Sequence, residues 1–192
     1  AAAPAPLQRA AERVAEEALH RLPDRAALAL VIAELETRQI RALVGGAFGV
    51  ESRAGMLDLT RAVRSPGSTL KPLVYGLGFD DLLIHPETLI EDVPTRFGGY
   101  SPTNFRNTYA GQLTVREALQ QSLNIPAVAV LEQVGPARVA ARLREVVLPL
   151  HWSAAHPQPG LPLVLGGVGM TLEELVTLYA SIADGGRVAP PR

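Results

Sequence analysis

The chain opens with a periodic pattern of apolar positions. Apolar residues recur at spacings of three and four, which places them on one stripe of a helix: Leu7, Ala10, Ala11, Val14, Ala18 and Leu22. Charged residues fill most positions between them, and Pro23 cannot continue a helix. The pattern therefore predicts an amphipathic helix over residues 7–22.

Two short apolar runs follow this helix. Residues 27–33 and 40–44 have the length of strands, and the polar residues 34–39 separate them. The pattern predicts an antiparallel hairpin, although its turn at Thr37-Arg38-Gln39 lacks the glycine that is often found there. Because a two-stranded hairpin is marginally stable alone, we expect further strands or a covering helix.

The rest of the chain is predicted to form helices and loops. Two capping boxes, Thr114 with Glu117 and Thr171 with Glu174, each predict a helix start. With the proline and glycine positions, they indicate helices that begin at or just before residue 68 and that span residues 115–121, 126–134, 136–147 and 172–183. A short turn is predicted between residues 85 and 94, and long loops over 96–111 and 148–164. This order of elements looks like part of a larger fold.

Composition narrows the class of protein. The 192 residues are 47% apolar and 19% charged, which is typical of one large or two small globular domains. The net charge of −1, without a basic cluster, argues against a nucleic-acid partner. No apolar run approaches the length of a membrane span. Cysteine is absent, and the four histidines do not have metal-ligand spacing.

Lysine occurs only once, at Lys71, although the chain has 18 basic residues. Unlike arginine, a buried lysine can lose its proton near neutral pH. Ser68 lies three residues earlier, so a helix would place both side chains on one face. A hydroxyl beside a neutral amine is an activated nucleophile, and the helix N-terminus favours the negative charge that develops. The alternative is that this spacing arises by chance and that Lys71 is only a structural cation.

A second candidate motif, Ser122-Leu123-Asn124, follows 54 residues after Ser68. By itself this motif indicates no more than a helix C-cap followed by a turn. Beside Ser68 and Lys71 it gains chemical meaning. A hydroxyl can relay a proton to a leaving amine, and an amide can hold a peptide substrate.

Around these motifs the sequence resembles the penicillin-binding transpeptidases, which are serine acyltransferases marked by Ser-x-x-Lys, Ser-x-Asn and Lys-Thr-Gly. The resemblance extends over residues 7–186 and is carried by four stretches: Arg64-Ser-Pro-Gly-Ser-Thr-Leu-Lys-Pro72, Glu91-Asp-Val-Pro94, Tyr100-Ser-Pro-Thr-Asn-Phe105 and Ala118-Leu-Gln-Gln-Ser-Leu-Asn-Ile-Pro-Ala127. The first stretch is most similar to class A proteins of the 1C type. The resemblance implies an α/β (α+β) fold like that of serine transpeptidases and β-lactamases. Residues 1–26 would be a linker helix, and residues 27–192 the N-terminal and helical part of the transpeptidase domain.

The resemblance also implies an activity and roles for single residues. It implies that Ser68 is the acylated nucleophile and Lys71 its general base. It also implies that Ser122 relays the proton and that Asn124 binds the acyl-donor peptide. The implied reaction is D,D-transpeptidation in cell-wall synthesis, from the D-Ala-D-Ala end of a peptidoglycan stem peptide to an amine. It would take place at the periplasmic face of the bacterial inner membrane. The implied partners are the stem peptide, β-lactams and other cell-wall synthesis proteins, and no cofactor or metal is implied.

One departure from the family pattern affects the expected activity. With a single lysine the chain has no Lys-Thr-Gly, and the strand that carries this triad would also supply one oxyanion-hole N–H. We therefore expect a fragment that is inactive or nearly so, without the glycosyltransferase domain and membrane anchor that the resemblance implies upstream. Two alternatives stay open. One is a module of this fold that β-lactams acylate and that signals without turnover, and the other is a structural helical domain in which Lys71 pairs with a carboxylate.

Overall fold

The computed structural model of the chain describes residues 5–47, 50, 55–146, 150–152 and 157–192. Over these residues its elements are α1 (Ala5–His20), β1 (Leu30–Ala33), β2 (Ile40–Val44), α2 (Lys71–Asp80), β3 (Leu89–Asp92), β4 (Gly111–Thr114), α3 (Val115–Gln120), α4 (Asn124–Val134), α5 (Pro136–Arg144), β5 (His151–Trp152), β6 (Val168–Gly169) and α6 (Leu172–Ala183). Short 3₁₀ turns at Gly67–Leu70 and Leu161–Leu165 precede α2 and β6. The predicted helix end at residue 147 and residues 148–149 and 153–156 of the predicted loop lie outside the described residues.

The predicted hairpin is confirmed and lies in the first of two compact units, which comprises Ala1–Arg64 and Met170–Arg192. Strand β1 runs antiparallel to β2, with Leu30 opposite Val44. Strand β2 has the predicted bounds, whereas β1 begins three residues later than predicted. Helix α1 packs against β2, and α6 packs against β1. The hairpin is therefore covered by helices, as its marginal stability requires.

The hairpin turn does without glycine because an ion pair holds it. Arg38 has a φ of 59°, in the left-handed region that non-glycine residues rarely adopt. Its guanidinium is buried and forms an ion pair with Asp184, at 2.7 Å, just after the end of α6. The same bond, with a second arginine at Arg187, lowers the pKa of the Asp184 carboxyl.

Helix α1 is confirmed, but its buried stripe is rotated from the predicted one. Ala11 and Ala15 are buried, whereas Val14 is exposed. The reason is a polar contact: the Gln8 side-chain amide donates to the Leu43 carbonyl and accepts from the Leu43 N–H, both at 2.9 Å. This pair of bonds satisfies the outer edge of β2 and fixes which face of α1 meets the strand. Small alanines then allow the close approach.

The second compact unit is Ser65–Gly169, and its core is helix α4. Apolar side chains all round this helix are buried, including Ile125, Val128 and Leu131, as expected for a helix inside a domain. Helix α2 packs directly against it. Gly78 of α2 permits this, since a β-carbon there would come within 3.0 Å of Ile84 side-chain atoms and 3.3 Å of Val130 Cγ1.

The interval predicted as a short turn before the long loop contains a strand, so that prediction was wrong. Strands β3 and β4 form an antiparallel pair, with Leu89 opposite Thr114 and Asp92 opposite Gly111. The chain between these strands, residues 93–110, is a loop, as predicted for most of its length. The pair matters for the site because it brings the two ends of that loop together, where Asp92 lies opposite Gly111.

The helix starts are largely confirmed. Both capping boxes are formed, with the Thr114 and Thr171 hydroxyls accepting from the backbone N–H groups of Glu117 and Glu174. Helix α6 has the predicted bounds. Helix α4 begins at Asn124, two residues before the predicted start. That difference makes Asn124 the first residue of a helix and not part of a loop.

Candidate active site

Ser68 lies at the entrance of helix α2. Gly67 has a φ of 56°, and the 3₁₀ turn Gly67–Leu70 leads directly into α2 at Lys71. Pro72 fits the first turn of α2, where backbone N–H groups have no partner within the helix. The predicted helix start is therefore confirmed, with 3₁₀ geometry in its first turn. The Ser68 residue itself is exposed to solvent.

Gly166, which is distant in the sequence, stabilises this turn by a hydrogen bond with Ser65. The Ser65 hydroxyl donates to the Gly166 carbonyl at 2.8 Å and accepts from the Gly67 N–H at 3.3 Å. Gly166 has a φ of 92°, and a β-carbon there would overlap the Ser65 hydroxyl and lie 2.5 Å from Gly67 N. The residue before the candidate nucleophile is thus held by a contact that only glycine permits.

The Lys71 amine is buried and surrounded by acceptors. Its side chain is 1% exposed and donates to Asn124 Oδ1 at 2.8 Å, and to the carbonyl and the hydroxyl of Ser122 at 2.5 and 3.3 Å. Burial penalises the charged form and lowers the pKa of Lys71 to about 8. About half of the molecules therefore have a neutral amine at about pH 8 and a smaller fraction at pH 7, and the neutral amine is the form that a general base needs.

Ser122 faces Lys71 because of the way helix α3 ends. Its φ is 55°, its N–H donates to the Leu119 carbonyl, and the Leu123 N–H donates to the Ala118 carbonyl, each at 3.0 Å. These two bonds form a Schellman motif, in which a left-handed residue ends the helix. The interpretation of Ser122 as a helix C-cap is therefore correct as geometry. It is compatible with a chemical role, because the same conformation directs both of its oxygen atoms at Lys71.

Asn124 is held on three sides. Its backbone N–H donates to Asn104 Oδ1 and its side-chain Nδ2 to the Thr103 carbonyl, both at 2.8 Å. Its Oδ1 accepts from Lys71. Asn124 therefore links the long loop, the start of α4 and the candidate base.

The structure brings together three of the four residues that sequence analysis selected. Lys71, Ser122 and Asn124 are in hydrogen-bond contact. Ser68 lies one helical turn before Lys71, and the Lys71 N–H donates to the Ser68 carbonyl. Within the described ranges the Ser68 hydroxyl has no hydrogen-bond partner. Since catalytic hydrogen bonds are often long or poorly aligned before substrate binds, the lack of this hydrogen bond does not argue against Ser68. The chemical roles of all four residues stay predictions.

Sequence reasoning missed two buried polar residues behind the site. Asp92 is fully buried, and both of its carboxylate oxygens accept from Asn104 Nδ2, at 2.8 and 2.9 Å. Near them, burial and then the Asp92 charge raise the pKa of Tyr75, whose hydroxyl has no hydrogen-bond partner among the described residues. Both residues lie in stretches that carry the family resemblance, Asp92 in residues 91–94 and Asn104 in residues 100–105. No spacing in the sequence connects them.

A cleft of about 340 Å³ borders this site at Ser122. Ser122 and Gln121 form one side of it, and Asn104, Phe105 and Arg106 of the long loop line the other. Phe105 is 99% exposed at its rim. A peptide could therefore approach Ser122 along the loop that also holds Asn124.

Because Lys71 is the only lysine, its titration can be observed alone. In a chain labelled with ¹³C-lysine we expect one ε-carbon signal with a midpoint at about pH 8, against an ordinary pKa of 10.5. The folded state releases this proton at a lower pH than the unfolded state. The contribution of Lys71 to the unfolding free energy therefore increases as pH rises from about 8 to 10.5. The same signal in denaturant is the control. A folded-state midpoint at the denatured value would contradict the burial argument.

The described groups at this site are hydroxyls, an amine, amides and one carboxylate. In the part of the chain that the structure describes, no group of three or more His, Asp or Glu side chains is placed to hold a metal ion. No helix in that part is long and apolar enough to cross a membrane.

The chain is similar to known proteins over nearly its whole length. Residues 28–192 match the family described as penicillin binding protein transpeptidase domain. The chain is 44% identical to penicillin-binding protein 1C of Escherichia coli K12 over 187 residues, which is 97% of this chain and 24% of that protein. It is 33% identical to penicillin-binding protein 1F of Bacillus subtilis over 74% of this chain and 21% of that protein. The chain thus spans about a quarter or less of these relatives.

Solved structures show the same fold. PonA1 of Mycobacterium tuberculosis in complex with penicillin V matches with a TM-score of 0.82 and 23% identity, over 98% of this chain and 52% of that one. The transpeptidase domain of penicillin-binding protein 3 from Burkholderia pseudomallei matches with a TM-score of 0.79 and 21% identity, over 98% and 59%. The α+β fold class implied by the sequence resemblance is therefore confirmed.

Proposed function

Because the chain belongs to the penicillin-binding protein transpeptidase domain family, we propose that it carries the nucleophile and the base of a serine D,D-transpeptidase. One observation carries this proposal: the single lysine is buried one helical turn after Ser68 and bound to both Ser122 and Asn124. Residues 27–192 would be the N-terminal and helical part of that domain, and residues 1–26 a linker helix before it. The family match, which begins at residue 28, supports this boundary.

In the proposed first step, neutral Lys71 takes the proton of the Ser68 hydroxyl. The Ser68 oxygen then bonds to the carbonyl carbon of the penultimate D-Ala in a stem peptide, and the carbonyl oxygen becomes negative. When the carbon–nitrogen bond breaks, the leaving D-Ala amine takes the proton, and an ester on Ser68 forms. The pKa of about 8 suits Lys71 to this exchange, because the amine can accept and return a proton near neutral pH.

Ser122 is proposed to relay that proton. Its hydroxyl lies 3.3 Å from Lys71 Nζ and borders the cleft, so it can pass the proton from Lys71 to the leaving nitrogen. In the second step an acceptor amine attacks the ester and gives up its proton by the same path. The new amide is released, and the Ser68 hydroxyl forms again.

In this proposal Asn124 both positions the Lys71 amine and binds the substrate. Its Oδ1 holds the Lys71 amine, and one of its two Nδ2 hydrogens is bound to the Thr103 carbonyl. The second Nδ2 hydrogen is the donor that could hold the backbone of the acyl-donor peptide. Asn124 thus positions the base and contacts the substrate from one side chain.

The proposed substrate and setting follow from the family. We propose peptidoglycan stem peptides as substrates in cell-wall synthesis, β-lactams as inhibitors that mimic them, and the periplasmic face of the bacterial inner membrane as the place of action. The names of the relatives, and the penicillin V bound to PonA1, support this choice. Other cell-wall synthesis proteins are the proposed partners.

Intact-protein mass spectrometry with penicillin tests the proposal. We expect the chain to gain one penicillin at Ser68, but slowly, since loss of one oxyanion-hole donor alone costs about 10²–10³-fold in rate and the chain has no Lys-Thr-Gly. A Ser68→Ala chain is the control and should gain nothing. Labelling that persists in this variant, or no labelling in any form that carries the third motif, would refute the nucleophile. Turnover of a peptide donor separates a transpeptidase from a module that is acylated without turnover.

A further inference from the structure

Asp92 is a buried carboxylate without an ion-pair partner in the described part of the chain. It is 0% exposed, and its oxygens accept from Asn104 Nδ2 and from the Ala110 N–H, the latter at 2.8 Å. Taking a carboxylate out of water without a cation is costly, even where hydrogen bonds satisfy its oxygens. Such a group calls for a specific reason at this place, at the end of β3 and directly behind the site.

The effect of Asp92 is to fix the orientation of the Asn104 amide. An ionised carboxylate only accepts hydrogen bonds, so it must face the Nδ2 end of Asn104 and not the oxygen. Nδ2 also donates to the Thr108 carbonyl at 3.0 Å. The Asn104 oxygen is thereby turned away from the carboxylate and towards the start of α4.

The oriented oxygen holds the first residue of that helix. Asn104 Oδ1 accepts from the Asn124 N–H at 2.8 Å, one of the N–H groups that have no partner inside a helix. The preceding residue, Thr103, accepts from the Asn124 side chain. Two adjacent residues of the loop therefore fix both the backbone and the amide of Asn124, whose Oδ1 receives the Lys71 amine.

We propose that Asp92 and Asn104 are positioning residues: Asp92 orients Asn104, and Asn104 holds Asn124 where it binds the Lys71 amine. The proposal rests on the function proposed above, since it assigns these residues to the placement of the base. Neither residue touches Lys71 directly, and neither is one of the four residues selected from the sequence.

The test uses isosteric exchanges in the full-length protein, with acylation by a fluorescent penicillin as the readout. Asp92→Asn places two amides next to each other, and Asn104→Asp places two carboxylates next to each other, so each variant loses the pairing of an amide donor with a carboxylate. Because a displacement of about 1 Å in a reacting group can cost about 10²-fold in rate, we expect each single variant to lose on that order. The double variant Asp92→Asn/Asn104→Asp again pairs one donor with one carboxylate and keeps an oxygen for Asn124. It should recover part of the lost rate, although the Thr108 carbonyl, which accepts from Asn104 Nδ2 in the wild-type protein, loses its donor.

Glu91→Gln is the matched control, since it makes the same acid-to-amide change one residue away on an exposed side chain. It should keep the wild-type rate. In the 192-residue chain, whose one lysine is Lys71, the ε-carbon signal should shift in both single variants and return towards its wild-type position in the double variant, a response that general destabilisation would not give. Single variants that behave like Glu91→Gln, or a double variant no better than the worse single one, would overturn the proposal.

A measurement on the wild-type protein tests the positioning role even if the variants do not fold. Asn124 is the first residue of a helix, where backbone N–H groups usually exchange fast. Its amide should nevertheless exchange slowly, because it donates a hydrogen bond to Asn104 Oδ1. Fast exchange at Asn124 would overturn the positioning role whatever the variants do. A protein with a slow Asn124 amide that penicillin never acylates at Ser68 would instead refute the proposed function, and with it the assignment to catalysis.

Discussion

Replacing Lys71 with arginine should slow acylation of Ser68 almost as much as removing the Ser68 hydroxyl. Arginine keeps the charge, but its guanidinium cannot become neutral, so it cannot take the Ser68 proton. General-base catalysis contributes about 10²–10⁴-fold, and a nucleophile and its base act as a unit. The measurement is the acylation rate with a fluorescent penicillin in the full-length protein that carries the third motif. In the wild-type protein the rate should rise as pH passes through about 8, where Lys71 becomes neutral.

Lys71→Met separates the charge from the base, since methionine has a similar length and neither property. If Lys71 is the base, the arginine and methionine variants should both be nearly inactive. If Lys71 is only a structural cation for the acceptors on Ser122 and Asn124, the arginine variant should stay active and the methionine variant should not. An active arginine variant would therefore remove the general-base role.

The second large effect is expected from Gly166→Ala. Alanine is strained at a φ of 92°, and its β-carbon would collide with the Ser65 hydroxyl and with backbone atoms of Gly67, which cannot swing aside as a flexible side chain could. Overpacking of this kind costs about 1–3 kcal/mol, to which the backbone strain adds. We expect a lower unfolding midpoint and also slower acylation, because the displaced turn carries Ser68.

Gly99→Ala is the control for this prediction. A β-carbon at Gly99 meets no atom within 4 Å, and its φ is not in the left-handed region. Chemical denaturation and the acylation rate should both stay at wild-type values in this variant. If Gly166→Ala is as stable and as fast as Gly99→Ala, the contact with Ser65 does not support the nucleophile.

Local patterns in the sequence predicted those elements whose cause is local. A capping box needs only residues three apart, and both boxes form, at Thr114 and at Thr171. The hairpin is also local, and β2 has its predicted bounds. The pairing of Ser68 with Lys71 on one helix face is local as well, and it locates the site.

The elements that were missed depend on contacts between distant residues. Strand β3 is half acidic and half exposed, and no alternation of apolar and polar residues marks it. It exists because β4, about twenty residues later, pairs with it. The burial of Ala15 in place of Val14 likewise follows from the bond between Gln8 and a strand 35 residues away.

The same distinction explains what was missing from the site. Asp92 and Asn104 are 12 residues apart and Asn104 and Asn124 are 20 apart, without any helical or strand period to connect them. Only the folded loop brings them together. The motif residues could be chosen by their chemistry, whereas the residues that hold them could be found only in the structure.

The bond between Ser65 and Gly166 joins residues 101 positions apart, and this separation constrains when the site can form. A ribosome synthesises Ser68 and Lys71 long before Gly166, and closing a long loop costs entropy that only later contacts repay. A nascent chain that ends before Gly166 therefore contains the whole Ser-x-x-Lys sequence without the support for its turn. Reactivity of the serine should consequently not appear in synthesis before the unit Ser65–Gly169 is complete.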